Sequence, residues 1–201
     1  MSLKHAILVL LEKKPGSGYD LSQRFKRSIG YFWNASHQQI YQELKKLSQE
    51  QWVEFEVQAQ AERPDRKHYR ISAAGRSALK AWLHEPAKPE RLNSELLVKI
   101  YAAYLADPTA LLPDLDRRIA AHREKLDEYL GHEPFYLDKR GKASRKQSLM
   151  HLTLRYGIRY EWNWIEWLTE VRALLVDEQA PAKPMLETLI RASSRKTLAK
   201  R

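Results

Sequence analysis

The chain contains no cysteine, which excludes a disulfide framework and thiolate-based metal or redox chemistry. That absence fits a cytoplasmic location. Long apolar runs are missing too. The N-terminal run from Ala6 to Leu11 is far short of the roughly 20 residues that cross a bilayer. No small-residue cleavage site marks it as a leader, so it reads as the first helix of a folded domain, with no membrane partner. Also absent are a Gly-rich phosphate loop, an HExxH helix, a nucleophile elbow and a metal-spaced His/carboxylate cluster. The seven histidines are scattered. These gaps argue against an enzyme and leave no catalytic residue, metal or cofactor to assign.

What is present is a basic, apolar-rich chain. Its 201 residues suffice for one or two small domains with real cores. At 43% hydrophobic and 10% aromatic residues it is globular rather than disordered. Lys and Arg total 35 against 25 acids, a net charge of +10. That surplus favours a polyanionic partner, nucleic acid or an anionic surface.

The first half alternates helix and strand signals. Leu3, Ala6, Ile7, Leu10 and Leu11 fall at i, i+3, i+4, i+7 and i+8, one face of an amphipathic helix. Pro15-Gly16 ends it. Ser17 and Asp20 resemble a capping box opening a short second helix that carries Tyr19, Leu21 and Phe25. Ser36 and Gln39 form a second capping box, and Ile40, Leu44 and Leu47 stripe the third helix. Its opposite face shows Gln38, Tyr41, Gln42, Lys45 and Gln49. The period then changes to two: Val53, Phe55 and Val57 alternate with polar residues, as do Tyr69 and Ile71. This predicts a hairpin with one face on a core and a charged tip, ERPDRK, between its strands. Ser72 caps a fourth helix with Ala78, Leu79, Trp82 and Leu83, and Pro86 and Pro89 close the unit. Two short helices before a polar-faced third helix suggest a helix-turn-helix, and the basic hairpin after it makes a wing.

The second half reads as all helix. Leu96, Leu97, Ile100, Tyr104 and Leu105 share a stripe. A longer helix starting near Pro108-Thr109 carries Leu112, Leu115, Ile119, His122, Leu126 and Tyr129 at steps of three and four. His122 in that stripe reads as a buried polar contact in preference to a pH-sensitive one, since the sequence places no carboxylate partner for it. Residues 131 to 147 read as a linker. A last helix from about Gln147 to Val176 places Tyr156, Tyr160, Trp164 and Trp167 on one face, with Trp162 elsewhere beside Ile158 and Ile165. A helix apolar on more than one side needs more than one neighbour, and a subunit interface would supply the second. The expected architecture is therefore mainly α: a winged helix-turn-helix with a two-stranded wing over 1–86, a helical dimerisation domain over 87–180, and a basic tail over 181–201.

The segments LKHAILVLLEKKPGSGYDL, FWNASHQQIYQELKKL and RPDRKHYRISAAGRSALKAWL resemble PadR-like transcriptional regulators. The ordered set that carries this is Ser-Gly-Tyr at 17–19, Ser36 with Ile40-Tyr41 and Leu44, Arg63-Pro64, Tyr69-Arg70-Ile71-Ser72, and Gly75-Arg76. ELLVKIYAAYLADP and the long helices after it resemble the larger C-terminal domain of a subgroup that includes virulence-gene activators. The resemblance implies a homodimer on double-stranded operator DNA, joined through its C-terminal helices, and repression is the expected sense. Ser36, His37 and Gln38 then occupy the reading end of the recognition helix, with Gln38 suited to adenine. Tyr41 and Lys45 follow on the same face. Arg63, Arg66 and Lys67 are expected to face phosphate from the wing, and Arg70 to pair with a wing carboxylate. Ser17 and Tyr19 would offer backbone N–H groups to a phosphate. PadR relatives often respond to phenolic acids, so Tyr156, Tyr160, Trp162, Trp164 and Trp167 either line a small aromatic ligand's site or fill the dimer interface. A winged-helix adaptor that binds protein without sequence-specific DNA contact is the alternative.

Overall fold

The computed structural model describes residues 3–30, 32–59, 66–87, 89, 93–137 and 143–177. The chain divides into two compact units, Met1–Leu92 and Asn93–Arg201, so the first unit reaches a few residues beyond Pro86 and Pro89. The basic tail over 181–201 lies outside the described residues, as do Arg63 and the rest of 60–65 at the wing tip.

The first unit is three helices, a hairpin and a fourth helix. Helix α1 (Leu3–Lys13) buries Ile7, Leu8, Leu10 and Leu11. Helix α2 (Gly18–Lys26) and helix α3 (His37–Gln49) both open with full capping boxes, Ser17/Asp20 and Ser36/Gln39. Each box satisfies backbone N–H groups that a helix start leaves unpaired. A short strand β1 (Gly16–Ser17) precedes α2, while β2 (Val53–Gln58) and β3 (Arg66–Ile71) form the hairpin. Helix α4 (Ala73–Trp82) is capped by Ser72.

The sheet order is β1-β3-β2, all antiparallel. The wing thus gains a two-residue third strand beyond the expected pair, because the chain leaving α1 runs alongside β3. Ile7, Leu8, Leu11, Leu21, Phe25, Ile40, Leu44 and Leu47 are fully buried, and Val53, Tyr69, Ile71 and Leu79 close the core. The hairpin face departs from expectation. Val53 is buried, but Phe55 and Val57 are 39% and 56% exposed. The helical core reaches only the base of the hairpin, so the alternation continues past anything it can pack on. Leu83, expected on the α4 stripe, caps that helix and is exposed.

The second unit holds α5 (Glu95–Tyr101), α6 (Leu112–His132) and α7 (Arg145–Val176), with 3-10 turns over Ala103–Leu105, Pro108–Leu111 and Glu133–Phe135. Helix α5 stops at Tyr101 and a 3-10 turn resets the period, which leaves Tyr104 and Leu105 exposed rather than on the Leu96 stripe. Pro108 and Thr109 likewise sit in a 3-10 turn, and α6 itself begins at Leu112. The expected linker is shorter than 131–147. Helix α6 continues through His132, and Ser144 with Gln147 caps α7.

Helices α6 and α7 run antiparallel, as the pairs Asp116–Arg172, His122–Glu161 and Glu133–His151 show. On α6 the buried residues are Leu115, Ile119, Leu126 and Tyr129. On α7 they are Leu154, Gly157, Glu161, Leu168 and Val171, with Trp164 and Leu175 packed beside them. Both series step by three, four or seven, with His122 filling the gap between Ile119 and Leu126, the spacing of a coiled-coil seam.

Candidate nucleic-acid interface

Helix α3 carries the candidate reading surface. Ser36 is occupied as its cap: its N–H donates to Gln39 Oε1 at 2.8 Å, and its hydroxyl accepts from the Gln39 N–H at 3.2 Å. His37 and Gln38 follow in the first turn, both exposed, with Tyr41 and Lys45 exposed one and two turns later. Ile40, Leu44 and Leu47 anchor the opposite side in the core. No acid lies in the first turn, and Glu43, further along, is drawn to Lys46 at 3.7 Å. The expected face is therefore present, polar and unencumbered by carboxylates at its start.

Glycine 18 sets how closely α2 approaches that face. A Cβ there would stand 2.5 Å from Tyr41 Cε1, so any larger residue has to displace the half-exposed ring. Gly75 plays the same part behind the wing, where a Cβ would meet the Trp52 carbonyl oxygen at 2.1 Å. Arg24, which sequence reasoning passed over, donates to the carbonyls of Leu10, Lys14 and Pro15 and closes the α1–α2 turn. Burial lowers its pKa, and the nearby Asp20 charge opposes that shift.

Between α3 and the wing lies a groove of about 360 Å³. Lys45, Ser48 and Gln49 form one wall, and Phe55, Lys67 and Tyr69 the other. The Lys67 ammonium sits 4.3 Å over the Phe55 ring. Two ammonium groups thus border a concave, partly aromatic surface next to the α3 face, an arrangement suited to a phosphate backbone. Burial, followed by the neighbouring Tyr41, pushes the Tyr69 hydroxyl above its ordinary pKa, so it stays a neutral donor here.

Ser17 and Arg66 are placed differently from expectation, while Tyr19 stands where it was expected. Tyr19 is exposed at the start of α2. Ser17 is only 3% exposed, and its N–H is already donated to Asp20 Oδ2 at 2.9 Å. A buried cap cannot also hold a phosphate. Arg66 turns toward α2 and donates through Nη2 to Asp20 Oδ2 and to Ser17 Oγ, both at 2.7 Å. It is not a free wing cation. The sequence marked Asp20 as a capping acid; nothing in it linked that acid to an arginine 46 residues on. Arg70 pairs with Glu54 at 2.8 Å and Glu56 at 3.6 Å, along the hairpin as expected.

The aromatic residues of α7 do not form one set. Trp164 stacks on His122 with centroids 5.4 Å apart, and meets Tyr160 and Trp167 edge-on at 6.2 and 5.3 Å. Tyr156 and Trp162 are exposed and outside that ladder. His122 does have a carboxylate partner: its Nδ1 is hydrogen-bonded to Glu161, which is 2% exposed. Among the described residues no group of three or more His, Asp or Glu side chains is placed to hold a metal, and no helix is long and apolar enough to cross a membrane.

A capped helix with an exposed polar face, set beside a basic hairpin, defines the winged helix-turn-helix class of DNA-binding proteins. Comparison with known proteins narrows the class. Residues 7–81 match the transcriptional regulator PadR-like family, and residues 92–176 match the virulence activator alpha C-terminal domain. A probable transcriptional regulator of Mycobacterium tuberculosis is 38% identical, covering 89% of this chain and 100% of its own. The negative transcriptional regulator PadR of Bacillus subtilis is 31% identical, covering 86% and 97%. The crystal structure of that PadR in complex with operator DNA aligns with a TM-score of 0.70 at 30% identity, covering 87% of this chain and 99% of that one. The same protein is also known in complex with p-coumaric acid, at a TM-score of 0.64 and 30% identity over 87% and 96%. The virulence activator AphA of Vibrio cholerae aligns at 0.69 with 33% identity over 87% and 98%. The chain belongs to the PadR-like family. It is a transcriptional regulator with a winged-helix DNA-binding fold, not an enzyme, and its larger helical second unit is of the virulence-activator type.

Proposed function

We propose that the chain acts as a homodimeric repressor that binds an inverted-repeat operator through α3 and the wing. The observation that carries this is the likeness to operator-bound PadR over 99% of that chain, together with the exposed His37, Gln38, Tyr41 and Lys45 on α3. In this reading Gln38 faces adenine, and Lys45 and Lys67 flank a phosphate across the groove. Helix α7 supports the dimer. Besides its buried seam it exposes Leu149, Leu152, Tyr156 and Tyr160 at steps of three and four, a second apolar stripe for a second copy. The p-coumaric acid complex of PadR supports release by a small aromatic acid, sensed near the Tyr160–Trp164–Trp167 ladder.

The test is a mobility shift with DNA from upstream of the chain's own gene. Gln38→Ala and Lys45→Ala are each expected to abolish the specific shift while leaving thermal unfolding unchanged. A wild-type protein that shifts no duplex supports the protein-binding adaptor instead. Phenolic acids are expected to quench tryptophan fluorescence and release the DNA, and absence of both effects removes the effector from the account.

A further inference from the structure

We infer that Arg66 is a positioning residue: tied to Asp20 and Ser17, it fastens the wing to the start of α2 and does not contact DNA. The inference rests on the DNA-binding reading of the same unit. The tie is a closed set of hydrogen bonds. Asp20 Oδ2 accepts from the Ser17 N–H and hydroxyl, each at 2.9 Å, and from Arg66 Nη2 at 2.7 Å. Ser17 Oγ accepts from the Asp20 N–H at 3.2 Å and from Arg66 Nη2 at 2.7 Å. A DNA phosphate reaching for Nη2 must compete with a carboxylate that Ser17 holds in place by two further bonds.

The position of the tie matters as much as its bonds. Gly16 and Ser17 pair with Tyr69 and His68 in the β1–β3 ladder. Arg66 lies two residues further out, opposite Gln58, where the hairpin has left the core. It is the outermost described fastening between wing and helices. Side chains alternate along a strand, so Lys67 points the other way, over Phe55 and into the groove beside Lys45. Adjacent cations thus divide the work: one borders the phosphate groove and the other sets where that border stands. An exposed ion pair alone contributes little, and Arg66 and Asp20 are 39% and 40% exposed. The tie is effective because its other member, Ser17, is buried and already held by backbone pairing. Burial opposes ionisation of Asp20, but the hydrogen bonds from Ser17 and then the Arg66 charge outweigh it and hold the carboxyl below its ordinary value.

The two roles make opposite predictions for Asp20→Asn, which keeps an acceptor for the Ser17 cap and removes the charge. We would select duplexes from a random pool with the wild-type protein. Binding constants of D20N, R66M, R66K, K67M and the D20N/R66M double variant would then be measured over a series of salt concentrations. As a tie, D20N and R66M each weaken binding by roughly three- to tenfold, the double variant is no weaker than either, R66K recovers part of the loss, and the salt slope stays that of wild type. K67M instead lowers the slope by about one phosphate. Tighter binding by D20N, or a slope in R66M that falls as in K67M, makes Arg66 a phosphate contact and overturns the proposal. If wild-type protein selects no duplex, the DNA-binding reading fails, and amide exchange still decides the tie. Faster exchange in β3 of R66M and D20N, with α3 and α4 unchanged, supports it; unchanged exchange in β3 overturns it.

Discussion

His5 lies against the Trp82 ring, with centroids 4.4 Å apart and planes 10° from parallel, and within 6.2 Å of Trp52. It is 7% exposed, and its Nδ1 is buried without a hydrogen-bond partner. Burial, and then the Lys4 charge, hold its pKa below 6.5. The folded unit therefore keeps this ring neutral, while the unfolded chain takes up a proton near 6.5. Its contribution to stability is present above that value and is lost as pH falls toward the folded pKa. Thermal or denaturant unfolding from pH 7.5 to 5 is expected to show a loss for the wild type, with a slope of at most about 1.4 kcal/mol per pH unit from one site. His5→Phe keeps the stacking ring, removes the orphan nitrogen, and flattens that slope. Nothing in the sequence distinguished His5 from the other histidines, because its surroundings come from residues 52 and 82.

Helix ends were the most legible elements, since a cap is a local arrangement of neighbours. Ser17/Asp20, Ser36/Gln39 and the Ser72 cap formed where the sequence placed them. The end of α3 was less obvious. The Trp52 N–H bonds to the Leu47 carbonyl and the Gln51 N–H to that of Ser48, a Schellman close with Gln51 at φ 59°. Glycine is the residue suited to that backbone. Gln51→Gly is expected to raise stability by about 0.5–1 kcal/mol in chemical denaturation, with DNA affinity unchanged. The α6 stripe was legible because Leu115, Ile119, Leu126 and Tyr129 keep strict spacing. The α7 seam was not: its aromatic residues drew attention to the 156–160–164–167 face, whereas Gly157 and Glu161 lie on the buried one. Glu161 is held there by His122, and burial, then Glu161 itself, pushes the Tyr129 hydroxyl up to about 12. Glu161→Ala is expected to cost about 2–3 kcal/mol, since it leaves a hole and an unpaired imidazole. The double variant H122L/E161L recovers most of it, as urea titration of both proteins would show.

For the molecule as a whole, net charge of +10 was a weaker guide than the order of its elements. Charge suggested a polyanion; a capped polar helix followed by a basic hairpin indicated which surface meets it. The same charge misdirected the reading of Arg66, which a carboxylate holds, whereas Arg70 pairs with wing carboxylates as expected. Long-range pairs such as Asp20–Arg66 and His122–Glu161 exist only once the chain has folded, so spacing rules had no access to them. The set proposed to face DNA is compact among the described residues: His37, Gln38, Tyr41 and Lys45 on α3, with Lys67 across the groove. The central claim, that this set meets a phosphate backbone in a sequence-specific complex, is tested most directly by one titration. The affinity for upstream DNA and for a scrambled duplex is measured between 50 and 200 mM salt, conditions over which roughly 6–10 phosphate contacts would cost 10³–10⁵ in affinity. The account predicts a steep, linear fall for both duplexes, with the upstream DNA bound more tightly at every salt concentration. Affinity nearly flat in salt, or equal for the two duplexes, would contradict it.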